Sequence, residues 1–209
     1  MNSEFIKRIL SSIVLLPLAF YCLLTGSFLS IILIIVCFIF SCYEWNKISK
    51  NKSIKIFGFI FLSFSFYTFY DLSIKLNLLI FVISICIATD IGGYIFGKVV
   101  KGPKLTRISP NKTYSGMIGG YLLSLISLVI IANFIKSIGS INQFFLIIVL
   151  LSTVSQVGDI IVSYFKRQAK VKNTGNLIPG HGGLLDRIDG MIFAVPILYM
   201  INLTGYLNT

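Results

Sequence analysis

The sequence predicts an all-α membrane protein, a bundle of about seven transmembrane helices that forms a single membrane domain. Of the 209 residues, 56% are hydrophobic and only 12% are charged, and the mean hydropathy is +0.91, values that exclude an ordinary soluble domain. Apolar runs recur at the length of about 20 residues that crosses a bilayer as a helix. The basic residues occupy the gaps between these runs, so the net charge of +11 indicates the lipid bilayer as a partner and argues against nucleic acid.

The apolar runs follow one another along the whole chain. The stretch from Ile9 to Tyr43 is too long for one crossing and is broken by Thr25-Gly26-Ser27, so it predicts a helical hairpin with a retained first helix rather than a cleaved secretory signal. Five further spans are predicted at residues 54–70, 77–98, 117–135, 142–165 and 188–207. Residues 1–75 then form the N-terminal helices, and residues 76–209 contain the candidate catalytic helices and cytoplasmic loops.

The charges of the loops predict the orientation. If the N-terminus is cytoplasmic, every lysine and arginine except Lys75 and Lys136 falls in the inside segments, which are residues 1–8, 44–55, 98–116 and 166–187. This is a strong positive-inside bias, and it supports an odd number of spans. We therefore expect a multi-pass protein of the cell membrane whose active site faces the cytoplasm.

Two aspartates lie inside predicted spans, where a charged group is costly. Asp90 belongs to the stretch ATDIGGYIFGK and Asp159 to SQVGDIIVSYFKR. An ionisable residue at the bilayer centre costs about 3 kcal/mol on insertion scales and is functional by default. A hydrogen bond between packed helices is the structural alternative, but we expect both carboxylates to face a cavity open to the cytoplasm.

The last span begins with PGHGGLLDRIDG, residues 179–190, which contains the single histidine, His181. Asp186 and Asp189 lie one turn apart on the same helix face. A capping residue with a first-turn acid would explain them structurally, but adjacent carboxylates repel, and a shared cation relieves that repulsion. Mg²⁺ usually takes one or two carboxylates plus substrate phosphates, so four aspartates from three helices would form a suitable site.

The loops next to these acids predict phosphate as a ligand. Gly180, Gly182 and Gly183 flank His181 where backbone N–H groups can approach an anion, and His181 could be a base, a phosphate donor or a loop hydrogen bonder. The inside loop KGPKLTRISPNKTYSGMIGG has further polar candidates, and a positive-inside anchor would explain its charge but not its Ser-Pro-Asn-Lys-Thr sequence. These candidates are Lys104, Arg107, Ser109, Lys112 and Thr113. The residues together indicate metal-assisted phosphoryl or nucleotidyl chemistry.

The segment SYFKRQAKVKNTGNLIPGHGGLLDRID, residues 163–189, resembles the signature of the phosphatidate cytidylyltransferases, also called CDP-diacylglycerol synthases. The matching residues are Ser163, Lys166, Arg167, Lys172, Pro179, His181, Gly182, Gly183, Asp186, Arg187 and Asp189. ATDIGGYIFGK and ISPNKTYSGMIGG are similar to other family motifs, so the resemblance covers about residues 85–195. The sequence departs from the family at Asn173, where aspartate is usual, and at Ser115, where many members have glutamate, and it has fewer N-terminal spans than the longer members.

The resemblance implies that CTP and phosphatidate react to give CDP-diacylglycerol and pyrophosphate. It implies Mg²⁺ bound by Asp159 and Asp186, with room for a second, monovalent cation, and a catalytic group of Asp90, His181, Asp186 and Asp189. It also implies a set of substrate-binding residues, namely Lys104, Arg107, Ser109, Lys112, Thr113, Ser163, Lys166, Arg167, Lys172, Gly182, Gly183 and Arg187. A homodimer is an expectation by family analogy alone.

Three other functions are alternatives to this one. An ion-coupled transporter also uses intramembrane aspartates, but it predicts polar residues along a path through the membrane, and here they crowd the cytoplasmic side. A CTP-dependent kinase of a membrane alcohol would release CDP and need a hydroxyl acceptor. The phosphatidyltransferases that consume CDP-diacylglycerol have a repeated aspartate pattern that this sequence lacks.

Overall fold

The computed structural model describes residues 3–25, 27–130, 140–178, 180 and 182–207. In these ranges the regular structure is helical, and β-structure is limited to two isolated bridges, Lys104 with Thr113 and Ile178 with Gly182. The predicted all-α class is therefore confirmed for the described residues.

The helices follow the apolar runs of the sequence. We number them in chain order as α1 Ser3–Thr25, α2 Ser27–Ile48, α3 Lys52–Ile74, α4 Leu76–Val99, α5 Tyr114–Ser124, α6 Ser127–Ile130, α7 Ile141–Gln168, α8 Leu185–Ile188 and α9 Met191–Leu203. Four stretches are long and apolar enough to cross a membrane, namely Phe28–Ile48, Lys52–Ile74, Leu76–Val99 and Ile141–Gln168. Ile13–Thr25 and Met191–Leu203 are shorter apolar helices. The protein is thus membrane-embedded, with four candidate spans in its described part.

Two predicted spans differ from the helices in the structure. The predicted helix 117–135 is interrupted after Ser124, where the hydroxyls of Ser124 and Ser127 donate to the backbone carbonyls of Tyr121 and Ser124 and compete with the helical ladder. Its last residues, 131–135, lie outside the described residues. The predicted helix 188–207 is divided at Asp189 and Gly190, because the Asp189 carboxylate accepts the Gly190 N–H at 3.0 Å.

The chain forms two compact units. The first unit comprises Met1–Leu76 and Phe165–Ile188, and the second comprises Asn77–Tyr164 and Asp189–Thr209. The unit boundary after Leu76 lies close to the predicted division between residues 75 and 76, but Phe165–Ile188 belongs with the N-terminal helices. The single membrane domain stays a prediction.

In the first unit, α2 packs against α3 through Trp45. A Cβ atom at Gly58 of α3 would lie 1.9 Å from the Trp45 Nε1 atom, so the indole occupies the space that glycine leaves. The other side of the indole meets Phe165 edge to face, with the ring centroids 4.9 Å apart. These contacts fix the end of α2 that contains the buried Glu44.

In the second unit, glycines let helix backbones approach closely. A Cβ atom at Gly92 of α4 would lie 2.2 Å from the Gly119 carbonyl oxygen of α5, and one at Gly158 of α7 would lie 2.5 Å from the Phe193 ring of α9. Thr89 of α4 also donates a hydrogen bond to Ser152 of α7 at 2.9 Å. Small residues and polar side chains of this kind associate helices in a bilayer.

Candidate active site

In the second unit, Asp159 contacts two other predicted site residues, Lys112 and Ser163. The Lys112 Nζ atom lies 2.5 Å from the Asp159 Oδ2 atom, and the Ser163 hydroxyl, one helical turn further along α7, donates to Oδ1 at 3.3 Å. The Asp159 and Lys112 side chains are 30% and 23% exposed. Lys112 therefore balances the charge of the Asp159 carboxylate, which solvent and ligands can still reach.

The loop before α5 is folded so that it presents its basic residues. Leu105 N–H donates to the Lys112 carbonyl at 2.8 Å, and Tyr114 N–H donates to the Pro103 carbonyl at 3.1 Å. These two bonds bring the arms of the loop together and direct Lys112 to Asp159. Lys104 and Arg107 are exposed on the same loop, where they are accessible to a soluble polyanion.

Thr113 and Ser115 hold this loop to α5. The Thr113 hydroxyl caps the helix by accepting the Gly116 N–H at 3.1 Å, and it lies 2.9 Å from the Ser115 hydroxyl. Ser115 also donates to the Lys101 carbonyl. The capping bond accounts for Thr113 structurally, and its predicted substrate contact, like that of the half-buried Ser109, stays a prediction.

The other two predicted acids of the second unit differ in exposure. Asp90 is exposed on α4, whereas Asp189, which precedes α9 in the chain, is buried. Across the described ranges, no group of three or more His, Cys, Asp or Glu side chains is arranged to hold a metal ion. The convergence of the four aspartates on one cation stays a prediction, and Mg²⁺ usually takes only one or two carboxylates together with substrate oxygens.

In the first unit, Asp186 joins the end of α7 to the glycine-rich loop. Its Oδ1 atom accepts a 2.8 Å ion-pair hydrogen bond from Lys166 Nζ, and the two side chains are 8% and 10% exposed. Its Oδ2 atom accepts the Thr174 N–H at 2.8 Å and the Gly183 N–H at 3.0 Å. Asp186 thus fixes both ends of the segment from Thr174 to Gly183.

A second carboxylate, that of Glu44, holds the same loop and was not predicted from the sequence. Glu44 of α2 is 1% exposed. Its Oε2 atom accepts the Thr174 hydroxyl at 2.7 Å and the Leu185 N–H at 2.8 Å, and its Oε1 atom accepts the Leu184 N–H at 2.9 Å. Glu44 lies 130 residues or more from these partners in the chain, but an acid at the end of the apolar run of α2 was a signal that could have found it.

These bonds change the interpretation of the glycine-rich loop. The sequence predicted that backbone N–H groups at the start of the last span would face a phosphate. In the structure, Asp186 accepts a hydrogen bond from the Gly183 N–H, and Glu44 accepts one each from the N–H groups of Leu184 and Leu185. The protein's own carboxylates therefore occupy the anion positions at this helix start.

Three basic residues of the signature lie on the surface of the first unit. Arg167, Lys172 and Arg187 are exposed, and Arg167 donates to the Val171 carbonyl at 3.1 Å. Asn173 is exposed too, with its amide nitrogen 3.2 Å from the position of a Cβ atom on Gly182. Pro179 and His181 lie outside the described residues, so the role of His181 stays open.

The comparisons with known proteins identify the family. The family model described as the Cytidylyltransferase family matches residues 6–76 and 71–204. The chain therefore belongs to the cytidylyltransferase family, and the resemblance carried by residues 163–189 is confirmed.

Three relatives carry the name phosphatidate cytidylyltransferase. One from Rickettsia typhi is 36% identical over 211 residues, covering 94% of this chain and 91% of the relative. One from Staphylococcus haemolyticus is 34% identical over 203 residues, covering 84% and 78%. One from Brucella suis biovar 1 is 42% identical over 123 residues, covering 58% of this chain and 45% of the relative. The match thus spans about half the length of the Brucella protein but nearly all of the Rickettsia protein.

Proposed function

We propose that this protein is a phosphatidate cytidylyltransferase that makes CDP-diacylglycerol and pyrophosphate from CTP and phosphatidate in phospholipid biosynthesis. The observation that carries the proposal is the folding of the family signature around Asp186, which ties Lys166 to the glycine-rich loop through three hydrogen bonds. The names of the relatives support the two substrates. Four of the described apolar helices are long enough to cross a bilayer, and a diacylated substrate is dissolved in that bilayer.

The reaction suits a site rich in cations and poor in strong bases. A phosphate oxygen of phosphatidate attacks the α-phosphorus of CTP, the bond from that phosphorus to the oxygen bridging to the β-phosphorus breaks, and pyrophosphate leaves with the electron pair. The nucleophile is already an anion, so no serine or strong base is needed. The protein must instead bring polyanions together and offset the charge of the leaving group.

Exposed cations for this purpose are present in each unit. Lys104 and Arg107 lie on the loop of the second unit, and Lys172 and Arg187 lie on the surface of the first unit. Arginine forms bidentate hydrogen bonds with phosphate, and lysine acts as a mobile point charge. We assign these side chains to the phosphates of CTP and phosphatidate.

Magnesium is the proposed cofactor, and Asp159 of the second unit and Asp186 of the first unit are its proposed protein ligands. Both are hard oxygen donors, as the ion requires. Asp159 is the more accessible of the two, since 30% of its side chain is exposed against 8% for Asp186. The Oδ1 atom of Asp186 keeps acceptor capacity beside Lys166. When bound, the ion would neutralise triphosphate charge, while Lys112 and Lys166 hold the carboxylates in position.

We also propose seven spans, a cytoplasmic N-terminus, an active site open to the cytoplasm, a second, monovalent cation and a homodimer. The distribution of lysine and arginine among the loops supports the orientation. A cytoplasmic site would have access both to soluble CTP and to the lipid leaflet.

Acceptor chemistry tests the reaction directly. Purified protein is incubated with CTP, Mg²⁺ and either phosphatidate or diacylglycerol of the same acyl composition, and pyrophosphate release is measured. We expect pyrophosphate with phosphatidate and none with diacylglycerol, because the nucleophile must be a phosphate. CDP release with diacylglycerol would identify a lipid kinase and contradict the proposal.

A further inference from the structure

Glu44 is a buried carboxylate whose three described contacts are all with uncharged groups. These contacts are the Thr174 hydroxyl and the backbone N–H groups of Leu184 and Leu185. A buried ion is costly unless hydrogen bonds satisfy it, and short bonds from two amides and a hydroxyl do so here. These three hydrogen bonds indicate that the Glu44 carboxylate holds in place the segment that contains Thr174, Leu184 and Leu185.

We propose that Glu44 is a positioning residue for cytidylyl transfer, which fixes the backbone of the signature loop from a helix outside the signature. Its meaning for catalysis rests on the proposed function. Glu44 acts through the segment Thr174–Leu185, which we call the clamped segment, and it is not itself assigned a contact with substrate.

Glu44 and Asp186 together form a carboxylate clamp. Between them they accept five hydrogen bonds from the clamped segment, two from Thr174 and one each from Gly183, Leu184 and Leu185. Thr174 is shared, since its N–H goes to Asp186 and its hydroxyl to Glu44. The two carboxylates therefore fix the beginning and the end of the loop relative to each other.

Glycines make room for the Glu44 carboxylate. A Cβ atom at Gly175 would lie 2.6 Å from Glu44 Oε1, and one at Gly183 would lie 2.4 Å from Oε2. Both distances are far below van der Waals contact, and both glycines belong to the clamped segment. The backbone at these two positions can therefore approach the Glu44 carboxylate because neither residue has a Cβ atom.

The contacts require a carboxylate rather than an amide. Leu184 N–H donates to one oxygen and Leu185 N–H to the other, and neither backbone donor can reverse its role. A glutamine has one oxygen and one NH₂ group, so either orientation sets a donor against a donor. The isosteric Glu44→Gln substitution should therefore release one end of the clamped segment while nearly preserving the volume.

Hydrogen exchange tests the positioning without reference to activity. Purified Glu44→Gln protein is compared with the unsubstituted chain and with Asp71→Asn, which makes the same chemical change on α3 of the same unit. We expect amides of residues 174–188 to exchange about tenfold faster or more in Glu44→Gln, as the loss of a charge-assisted bond predicts. Unchanged exchange there, or a uniform increase along the chain, would overturn the proposal.

Kinetics with paired Thr174 variants separate positioning from general stability. Thr174→Ser keeps the hydroxyl bond to Glu44, whereas the isosteric Thr174→Val removes it. We expect kcat/KM to fall about tenfold or more in Glu44→Gln and Thr174→Val and to be retained in Thr174→Ser and Asp71→Asn. Equal loss in both Thr174 variants would contradict the role of the hydroxyl.

Failure of the proposed function would give a different pattern. If the unsubstituted protein released no pyrophosphate with phosphatidate, the reaction assignment would fail. The exchange measurement would still decide whether Glu44 holds the clamped segment.

Discussion

At the scale of residues, Asp186 has a structural role in the first unit and a proposed chemical one. Three donors converge on its two oxygens, namely the Lys166 ammonium and the N–H groups of Thr174 and Gly183. The same side chain is the proposed magnesium ligand of the first unit. Its orientation is therefore fixed before any ligand arrives, which favours catalysis by a preorganised site.

Asp186→Asn should abolish most of the turnover while the protein still inserts into the membrane. The asparagine NH₂ group must face either Lys166 or the two backbone donors, so it cannot satisfy the native contacts. We expect kcat/KM to fall about 100-fold or more, measured as pyrophosphate release.

The double variant Lys166→Met/Asp186→Asn is the control for folding, because it also removes the buried ammonium whose carboxylate partner the single variant takes away. The double variant should regain thermal stability but not activity. Activity at the unsubstituted level in Asp186→Asn would exclude the metal assignment.

Asp186 and Lys166 were predicted from the sequence, whereas Glu44 was not, and the difference has a physical reason. Asp186 and Lys166 were predicted because the signature spacing contains them, although their contact joins residues 20 positions apart. Glu44 was missed because its partners are up to 141 residues away. A contact of that separation depends on how α2 packs in the first unit, which local pattern does not specify.

At the scale of elements, glycines let the backbones of α4 and α5 approach closely. The Gly92 position faces the Gly119 carbonyl, whereas a Cβ atom on the adjacent Gly93 would meet only the Gly116 carbonyl at 3.8 Å. The helix crossing therefore depends on one glycine of the pair. This crossing sets α5 and its capped loop against α4 within the second unit.

Gly92→Ala should lower the thermal stability of the purified protein, because a methyl group cannot fit 2.2 Å from a backbone oxygen. We expect a loss of about 1–3 kcal/mol in the free energy of unfolding, observed as a lower midpoint in a thermal scan.

Gly93→Ala is the matched control. It makes ordinary contact and adds a better helix former, so its midpoint should be unchanged or higher. Equal destabilisation by the two substitutions would contradict the close crossing.

Helix positions were more predictable than helix interruptions. Residues 77–98 were predicted for α4, which spans Leu76–Val99, because a long apolar run alone determines it. The predicted third span stopped at residue 70, but α3 continues through Asp71 to Ile74, because one acid does not end a helix. The breaks at Ser124 and at Asp189 arise from side chains that compete with the backbone, and hydropathy does not detect that competition.

At the scale of the whole molecule, composition and charge predicted the class of protein. Apolar runs indicated a membrane protein, and basic loops indicated a polyanionic substrate and a cytoplasmic site. The signature then limited the chemistry to one family, to which the chain belongs. The grouping of Phe165–Ile188 with the N-terminal helices could not be predicted, because that segment begins inside α7, most of which belongs to the other unit.

The fate of each phosphorus of CTP tests the central claim most directly. Purified protein in mixed micelles receives phosphatidate, Mg²⁺ and CTP labelled with ³²P at either the α or the γ position. We predict that α-label enters the lipid product and that γ-label appears in pyrophosphate, because the bond between the α-phosphorus and its bridging oxygen breaks. Label from the γ position in the lipid, or α-label retained in CDP, would contradict the account.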